Sequence, residues 1–305
     1  MSKMRNYLGI GGAHFFGVLH DNFLKQSAIF LCGALAVKQL GGDASLADKE
    51  QMELQTNALV SILFFLPFIV FAWWAALASD RLPRDQVMKN SKLAEIFLAV
   101  PAAWITYQLA KQDMSSVWGI LACVAGIAMI TTFFSPARLG AMPQLFPGNA
   151  LPRANGFVEM LGFVGIIFGM GLGGLVSKHA ELAFLIPLFA VLGWAATLTL
   201  PRLAVPERVE GQGLISGFKA LFSRRALTQA ALGEALFYSV AVLLVAAFIS
   251  RAKFHFGVDD TTRSLALVCL TLGIGAGCAL GGWLSRGRAE LGLVPFGALG
   301  MIGSG

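Results

Sequence analysis

The chain of 305 residues carries a net charge of +6, with 56% hydrophobic and 13% charged residues and a mean hydropathy of +0.71. Soluble domains contain roughly 25% charged residues, so this composition excludes a soluble domain. The basic residues are scattered through loops without interleaved aromatic residues, which argues against nucleic acid as a partner.

Eight apolar segments long enough to cross a bilayer follow one another along the chain. We predict spans at residues 8–37, 56–79, 91–110, 115–137, 156–176, 182–201, 227–250 and 264–285. A helix of about 20 apolar residues crosses the hydrocarbon core, and uninterrupted apolar segments favour helices over the alternating strands of a barrel. A ninth span opens near Leu291, so the chain looks truncated at its C-terminal end. The predicted fold class is all-α, a polytopic membrane protein.

The Lys and Arg residues of the loops predict the orientation of the chain. With a cytoplasmic N-terminus, fifteen of the 23 basic residues, Lys92 among them, lie on the cytoplasmic side and seven on the outer side. The remaining one, Lys25, lies inside the membrane. Cytoplasmic loops of membrane proteins carry the excess of positive charge. We therefore expect the N-terminus in the cytoplasm.

The longest predicted cytoplasmic loop, residues 202–225, divides the spans into two groups. We expect a first half of six helices at residues 1–201. The start of a second, incomplete half would occupy residues 226–305.

Two loops at equivalent positions of these halves look alike. Asp80, Arg81 and Arg84 follow span two, and Arg286 and Arg288 follow span eight, six spans later. Both loops resemble the cytoplasmic loop Gly-x-x-x-Asp-Arg-x-Gly-Arg of the major facilitator superfamily, although some of its glycines and the second acid are replaced. The resemblance implies twelve helices in two halves related by an axis along the membrane normal. It also implies that Asp80, Arg81 and Arg84 hold a gate.

Spans five and eight each carry a glycine at every fourth residue. The glycines are Gly165, Gly169 and Gly173 in span five, and Gly273, Gly277 and Gly281 in span eight. Small residues on successive turns of one face let helix backbones approach closely in membranes. We expect both stripes to be packing surfaces, as in a fold whose halves meet through helices five and eight.

Span one carries the most polar residues of any predicted span. Positions 14, 18, 21 and 25 share one helical face, which includes His14, Asp21 and Lys25, and Asn22 lies beside it. Two interpretations stay open: a local ion pair between Asp21 and Lys25, or a polar face that lines a cavity. In a cavity, Asp21 would contact a cationic headgroup, carry a proton or lock a gate. The side chain of His20 points about 100° away from that of Asp21 around the helix. We interpret it as a histidine at a helix interface whose hydrogen bonds are satisfied.

Three further acidic residues lie inside predicted spans. Glu234 in span seven either borders a central cavity together with span one or reaches water at the cytoplasmic end. Glu95 and Glu159 lie in the cytoplasmic portions of spans three and five. We expect each to pair with loop arginines in a network that locks a gate, Glu159 with Arg138 or Arg153.

One segment resembles a narrower family. It reads FSPARLGAMPQLFP at 134–147, followed by LPRANGFVEM at 151–160, and is similar to the loop between helices four and five of the bacterial lysophospholipid transporter family. The sequence DNFLK at 21–25 resembles the acid–Asn opening of that family. The sequence ELGLVPFGALG at 290–300 resembles the start of its ninth helix.

This resemblance implies a secondary transporter that moves lysophospholipids, such as lysophosphatidylethanolamine, across the bacterial inner membrane. An acyltransferase, fused or separate, would then restore the missing chain. The lipid headgroup or a coupled proton would meet Asp21, Asn22 and Glu234 on this path, and Lys25 or Arg138 would meet the phosphate.

Two other functions stay open. A proton-coupled transporter of small solutes or drugs on the same fold would use Asp21 as its proton carrier. Alternatively, the chain is the membrane module of a multidomain acyltransferase, whose His-x-x-x-x-Asp motif would lie beyond Gly305. The sequence itself predicts no enzyme and no cofactor. It also predicts no metal site, because its four cysteines lie in apolar spans without metal-ligand spacing.

Overall fold

The structure, a computed structural model, describes residues 2–41, 44–112, 117–205, 214–254 and 260–284, with positions 297, 299, 300 and 303. Within these residues all regular structure is helical. The α-helices are α1 (Ser2–Gln39), α2 (Leu46–Val70), α3 (Ala72–Arg81), α4 (Arg84–Ala110), α5 (Val117–Leu145), α6 (Leu151–Leu175), α7 (Leu185–Leu198), α8 (Leu214–Ser223), α9 (Arg225–Phe254) and α10 (Asp260–Leu284). The start of the ninth predicted span, near Leu291, and the second basic loop at 285–288 lie outside the described residues.

Each of the eight predicted spans coincides with a helix, and α2 and α3 together form span two. Five helical segments of the described chain are long and apolar enough to cross a membrane. They are Ala47–Val70, Arg84–Ala110, Val117–Leu145, Gly148–Leu175 and Ala180–Leu198. The all-helical class and the multi-pass membrane character are confirmed, whereas the number of eight spans stays a prediction.

Contacts along the chain define two units. The first contains Met1–Pro206 and Leu272–Gly305, and the second contains Glu207–Thr271. In the second unit, the hydroxyl of Thr228 donates a hydrogen bond to the carbonyl oxygen of Leu221 at 2.7 Å, which fixes the turn from α8 into α9. The predicted halves at 1–201 and 226–305 stay a prediction.

Helix α1 lies at the centre of the first unit and packs against α2, α4, α5, α6 and α7. Its closest neighbour is α6. A Cβ atom added to Gly169 would lie 2.5 Å from the carbonyl oxygen of Leu19, and one added to Gly165 would lie 2.8 Å from that of Phe15. Gly173 meets α1 in the same way, one turn further on. The stripe predicted on span five is thus a packing surface, and it packs against α1.

The second part of α10 also contacts α6, through other glycines. A Cβ atom on Gly156 would lie 2.6 Å from the carbonyl oxygen of Cys278 and 3.0 Å from the Cα atom of Gly282. A Cβ atom on Gly273 or Gly277 would meet no described atom within 4 Å. Gly281, the third member of that predicted stripe, is half-buried. The close approach of α6 and α10 therefore uses the helix face beside the predicted stripe.

The core of the first unit has a polar layer between two apolar clusters. One cluster includes Ile10 and Met88, and the other includes Phe23 and Val124. The buried polar side chains at the level between them are His20, Asp21, Ser91, Lys92, Glu95 and Thr132. They come from α1, α4 and α5, so the three helices share one polar level between the two apolar clusters.

Proline breaks span two beside this layer. Pro67 lies inside the last turn of α2, where its ring cannot donate a backbone hydrogen bond and clashes with the preceding turn. The helix ends at Val70, and the chain begins α3 after a bend at Phe71. The last two turns of α2 thereby present Phe64 and Phe68 to the interior of the unit.

Substituting Gly169 with Val tests the packing of α6 on α1. Overpacking typically costs about 1–3 kcal/mol, and we expect at least this loss because the atoms in the way belong to the backbone of α1. Gly171→Val is the matched control, since a Cβ atom there meets open space. Heating the detergent-solubilised protein and measuring the remaining folded fraction by size-exclusion chromatography gives the melting temperature of each variant. Equal melting temperatures for both variants would contradict the close packing.

Candidate functional site

A cavity of about 180 Å³ lies in the first unit between α1, α2, α4 and α5. Its wall combines two kinds of side chain. The polar members are His14, Asp21, Asn22, Lys92, Thr131, Ser135 and Arg138, and the aromatic members are Phe64, Phe68 and Phe134. The cavity therefore offers charges of both signs next to an apolar surface.

Asp21 lies in this wall and is held by two neighbours. The hydroxyl of Thr131 donates a hydrogen bond to its Oδ2 atom at 2.9 Å, and the Nδ1 atom of His20 lies 3.2 Å from its Oδ1 atom. Asn22 donates to the carbonyl oxygen of Val18 on its own helix at 2.9 Å. Of the three predicted pathway residues of α1, Asp21 and Asn22 thus border the cavity, whereas Lys25 is not part of its wall.

Lys25 lies apart from Asp21. Its ammonium group is 4.8 Å from the ring centroid of Phe65 and 5.0 Å from that of Phe64, distances typical of cation–π contacts. In the described structure no ion pair within 4 Å joins Lys25 to Asp21. The geometry therefore disfavours the local ion pair of the two interpretations of α1.

A buried cluster of ionisable side chains lies behind the cavity wall. Lys92 and Glu95 of α4 form an ion pair of 2.5 Å, and the Nδ1 atom of His20 is 3.1 Å from the Oε1 atom of Glu95. Lys92 and Glu95 are each 1% exposed, His20 is fully buried, and Asp21 completes the cluster. We call these four residues the His20 cluster.

Three expectations from the sequence fail at this cluster. Glu95 pairs with Lys92 on its own helix, so the expected pairing with a loop arginine is wrong. Lys92, which the sequence assigned to the cytoplasmic side, is buried inside α4 because Glu95 and the ring of Phe134, 4.7 Å away, compensate its charge. His20 is not satisfied, because its Nε2 atom has no hydrogen-bond partner in the described residues.

Gly17 makes room for this arrangement. A Cβ atom on Gly17 of α1 would overlap the ammonium group of Lys92. Only glycine lets Lys92 reach between α1 and α4 at this level. One signal for this contact was available in the sequence, namely the i,i+3 spacing of Lys92 and Glu95 inside one apolar span.

Arg138 of α5 reaches the cavity and pairs with Glu159 of α6 at 2.8 Å. The pairing predicted for Glu159 is confirmed, and of the two candidate partners it is Arg138. Arg153 is exposed. His14 lies close to α6 as well, since a Cβ atom on Gly162 would be 2.5 Å from its Nε2 atom. Whether the pair acts as a gate stays a prediction.

The predicted gating loop makes one direct contact between helices. Arg84 donates a hydrogen bond from Nη1 to the carbonyl oxygen of Gly140 at 2.7 Å. Gly140 has no space for a side chain there, because a Cβ atom would lie 2.5 Å from the Nε atom of Arg84. Asp80 is half-buried and Arg81 is exposed.

Asp85 is a polar anchor that the sequence reading missed. It is buried in the first turn of α4, lies 2.9 Å from the ammonium group of Lys89, and accepts a hydrogen bond from the backbone N–H of Leu203 at 2.9 Å. It therefore ties the start of α4 to the segment that follows α7. An acid in the first turn of a helix was the available signal. Glu234 lies on α9 of the second unit, where its side chain is exposed.

Comparison with known proteins defines the class. The family model of the Major Facilitator Superfamily matches residues 9–305, so this chain belongs to that superfamily. Within it, the chain is similar to proteins named lysophospholipid transporter LplT. The relative from Photorhabdus laumondii is 26% identical over 236 residues, which cover 73% of this chain and 56% of the relative.

Two further relatives carry the same name. The protein from Escherichia coli O1:K1 is 27% identical over 158 residues, 48% of this chain and 40% of its own length. The one from Klebsiella pneumoniae is 28% identical over 160 residues, again 48% and 40%. The resemblance predicted from the segment at 134–160 is confirmed, and the chain spans about half the length of the curated relatives it matches.

Thiol labelling tests the cavity. In a background without the four native cysteines, Ser135→Cys places a thiol in the cavity wall, whereas Thr132→Cys places one in the buried core. Thiol reactivity follows exposure, so we expect a charged, water-soluble reagent to modify position 135 much faster than position 132. Mass spectrometry of the labelled protein measures both rates. Equal protection of both positions would contradict a cavity between α1 and α5.

Proposed function

We propose that this protein moves lysophospholipids across the bacterial inner membrane, with its N-terminus in the cytoplasm. The observation that carries the proposal is the cavity wall, where Asp21, Lys92 and Arg138 face the same space as Phe64 and Phe68. The similarity to proteins named lysophospholipid transporter supports the substrate class. The excess of basic residues on one side of the predicted topology supports the orientation.

The chemistry of the wall suits an amphiphile with one acyl chain. A charged headgroup pays a cost of at least about 2.5–3.5 kcal/mol per charge at the bilayer centre unless protein charges compensate it. Asp21 would meet an ammonium group, and Arg138 would meet the phosphate, for which its planar guanidinium is well shaped. Asn22 would supply a further polar contact, and Lys25, beyond the wall, would attract the phosphate on entry. The aromatic face of α2 would lie along the start of the acyl chain.

Movement would follow the alternating access of the superfamily, in which two halves rock about a central site. The contacts that would open are single polar links between helices, Arg84 to Gly140 and Arg138 to Glu159. Asp80, Arg81 and Arg153 would belong to the same gate and form contacts in the conformation that opens to the other side of the membrane. Glu234 would face the headgroup from the second half. An acyltransferase would consume the delivered lipid.

Transport by variants in proteoliposomes tests this function. With the full-length protein and labelled lysophosphatidylethanolamine, we expect Asp21→Asn and Arg138→Gln each to slow transport at least about tenfold, because contacts to charged groups contribute about 1.5–3 kcal/mol. Glu181→Gln is the control, since Glu181 is 70% exposed. Accessibility of the label to an external quencher measures transport.

Two outcomes would contradict the proposal. Well-folded wild-type protein that leaves the lipid in its original leaflet would overturn the substrate class and favour a small-solute transporter. Transport that neither substitution changes would keep the substrate but remove Asp21 and Arg138 from the path.

A further inference from the structure

The His20 cluster carries a net charge that its own residues do not balance. Asp21 and Glu95 contribute two negative charges, Lys92 contributes one positive charge, and His20 in its neutral form contributes none. The sum is one negative charge in a site where His20, Lys92 and Glu95 are at most 1% exposed. Uncompensated charge in a protein interior is costly, so such a site tends to take up a neutralising ion.

Among the described residues, the other helices around the cluster do not supply that charge. From α5, Arg138 faces the cavity, but Glu159 of α6 already pairs with it. From α1, His14 borders the same cavity and Lys25 lies over the rings of α2. Helix α7 has no ionisable side chain, and α2 presents phenylalanines to the cavity.

The protons on His20 decide which buried polar atoms of the cluster are hydrogen-bonded. In the described structure the Nε2 atom of His20 is buried without a hydrogen-bond partner, and the Oε1 atom of Glu95 has none other than His20. The Oε1 atom lies 3.1 Å from the Nδ1 atom of His20, which itself lies 3.2 Å from Asp21. A hydrogen atom on Nδ1 would be donated to these carboxylates, which leaves Nε2 as a buried acceptor in the neutral imidazole and as a donor in the imidazolium.

A metal ion is the other candidate, because ligand atoms of His20, Asp21 and Glu95 lie within 4.8 Å of one another. The ammonium group of Lys92, however, is 2.5 Å from Glu95 and already occupies one side of the site. A metal ion would need its ligands arranged around an open position next to this ammonium group. A proton adds one positive charge and needs only a bond to one atom of the hydrogen-bonded pair.

We propose that the His20 cluster binds one additional proton on the hydrogen-bonded pair of Glu95 and His20, and that this proton is coupled to headgroup binding in the cavity. The coupling follows from geometry and rests on the proposed function. Asp21 and Lys92 belong both to the cluster and to the cavity wall. Protonation of the pair lowers the negative charge that Glu95 presents to Lys92, so the ammonium group of Lys92 attracts a phosphate in the cavity more strongly, while Asp21 stays available to the ammonium group of the lipid. By linkage the bound lipid raises the proton affinity of the cluster.

Proton uptake on lipid binding tests the coupling. In weakly buffered nanodiscs that hold the full-length protein, adding lysophosphatidylethanolamine should make the solution more alkaline, by up to one proton per protein. Lipid affinity should fall roughly tenfold from about pH 6 to about pH 9, within the coupling range of linked sites. Glu95→Gln and His20→Gln should abolish both effects. His179→Gln is the matched control, because His179 lies 3.6 Å from Glu181 in an exposed histidine–glutamate pair.

A second measurement tests the proton site independently of the lipid substrate and uses only the wild-type protein. Infrared spectra of the wild-type protein without lipid should show a carboxylic acid that titrates across the same pH range. Titration without any binding of lysophospholipid would support the proton site and overturn the proposed substrate. Lipid binding with no titration and no proton uptake would overturn the site. A spectral change driven by Na⁺ at constant pH would likewise overturn it in favour of a metal ion.

Discussion

The arrangement of the first unit depends on the compensation of charges that lie in its interior, of which only Glu159 is substantially exposed. Lys92 and Glu95 neutralise each other, Arg138 and Glu159 do the same, and His20 joins the first pair to Asp21. An unpaired charge at such a depth costs several kcal/mol, so these contacts determine which faces of the helices can meet. The polar layer also separates two apolar clusters, and a helix that slid along its axis would bring charges against apolar side chains.

Besides allowing close helix packing, glycine residues leave space for the side chains that compensate these charges. Three glycines each face a basic or imidazole side chain from another helix: Gly17 faces Lys92, Gly140 faces Arg84, and Gly162 faces His14. At each position a Cβ atom would occupy the space of a charged or polar nitrogen. Long basic side chains can therefore lie between tightly packed helices without pushing them apart. Glycine in these helices thus serves polar contacts as well as close backbone approach.

Local patterns predicted the helices, their order and the face of α1 that lines the cavity, because hydropathy and a period of 3.6 residues are properties of single segments. Charge alone narrowed the partner of Glu159 to Arg138 or Arg153, and the structure selects Arg138. The His20 cluster could not be predicted in this way, because it depends on which level of α4 meets α1, a fact of tertiary packing. Lys92 near the start of an apolar segment looks the same in sequence whether it lies in a loop or in the interior. The contact partners of the glycine stripes were hidden for the same reason.

The strengths of these contacts indicate which part of the unit is rigid. The backbones of α1 and α6 approach closely along three successive turns, so this interface is tightly packed. Helix α4 packs less extensively on α1, and the His20 cluster is the polar link between them. A change in the charge of the cluster therefore acts on the looser of the two interfaces. Since Asp21 and Lys92 also form the cavity wall, such a movement would change the shape of the cavity at the place where a headgroup would bind.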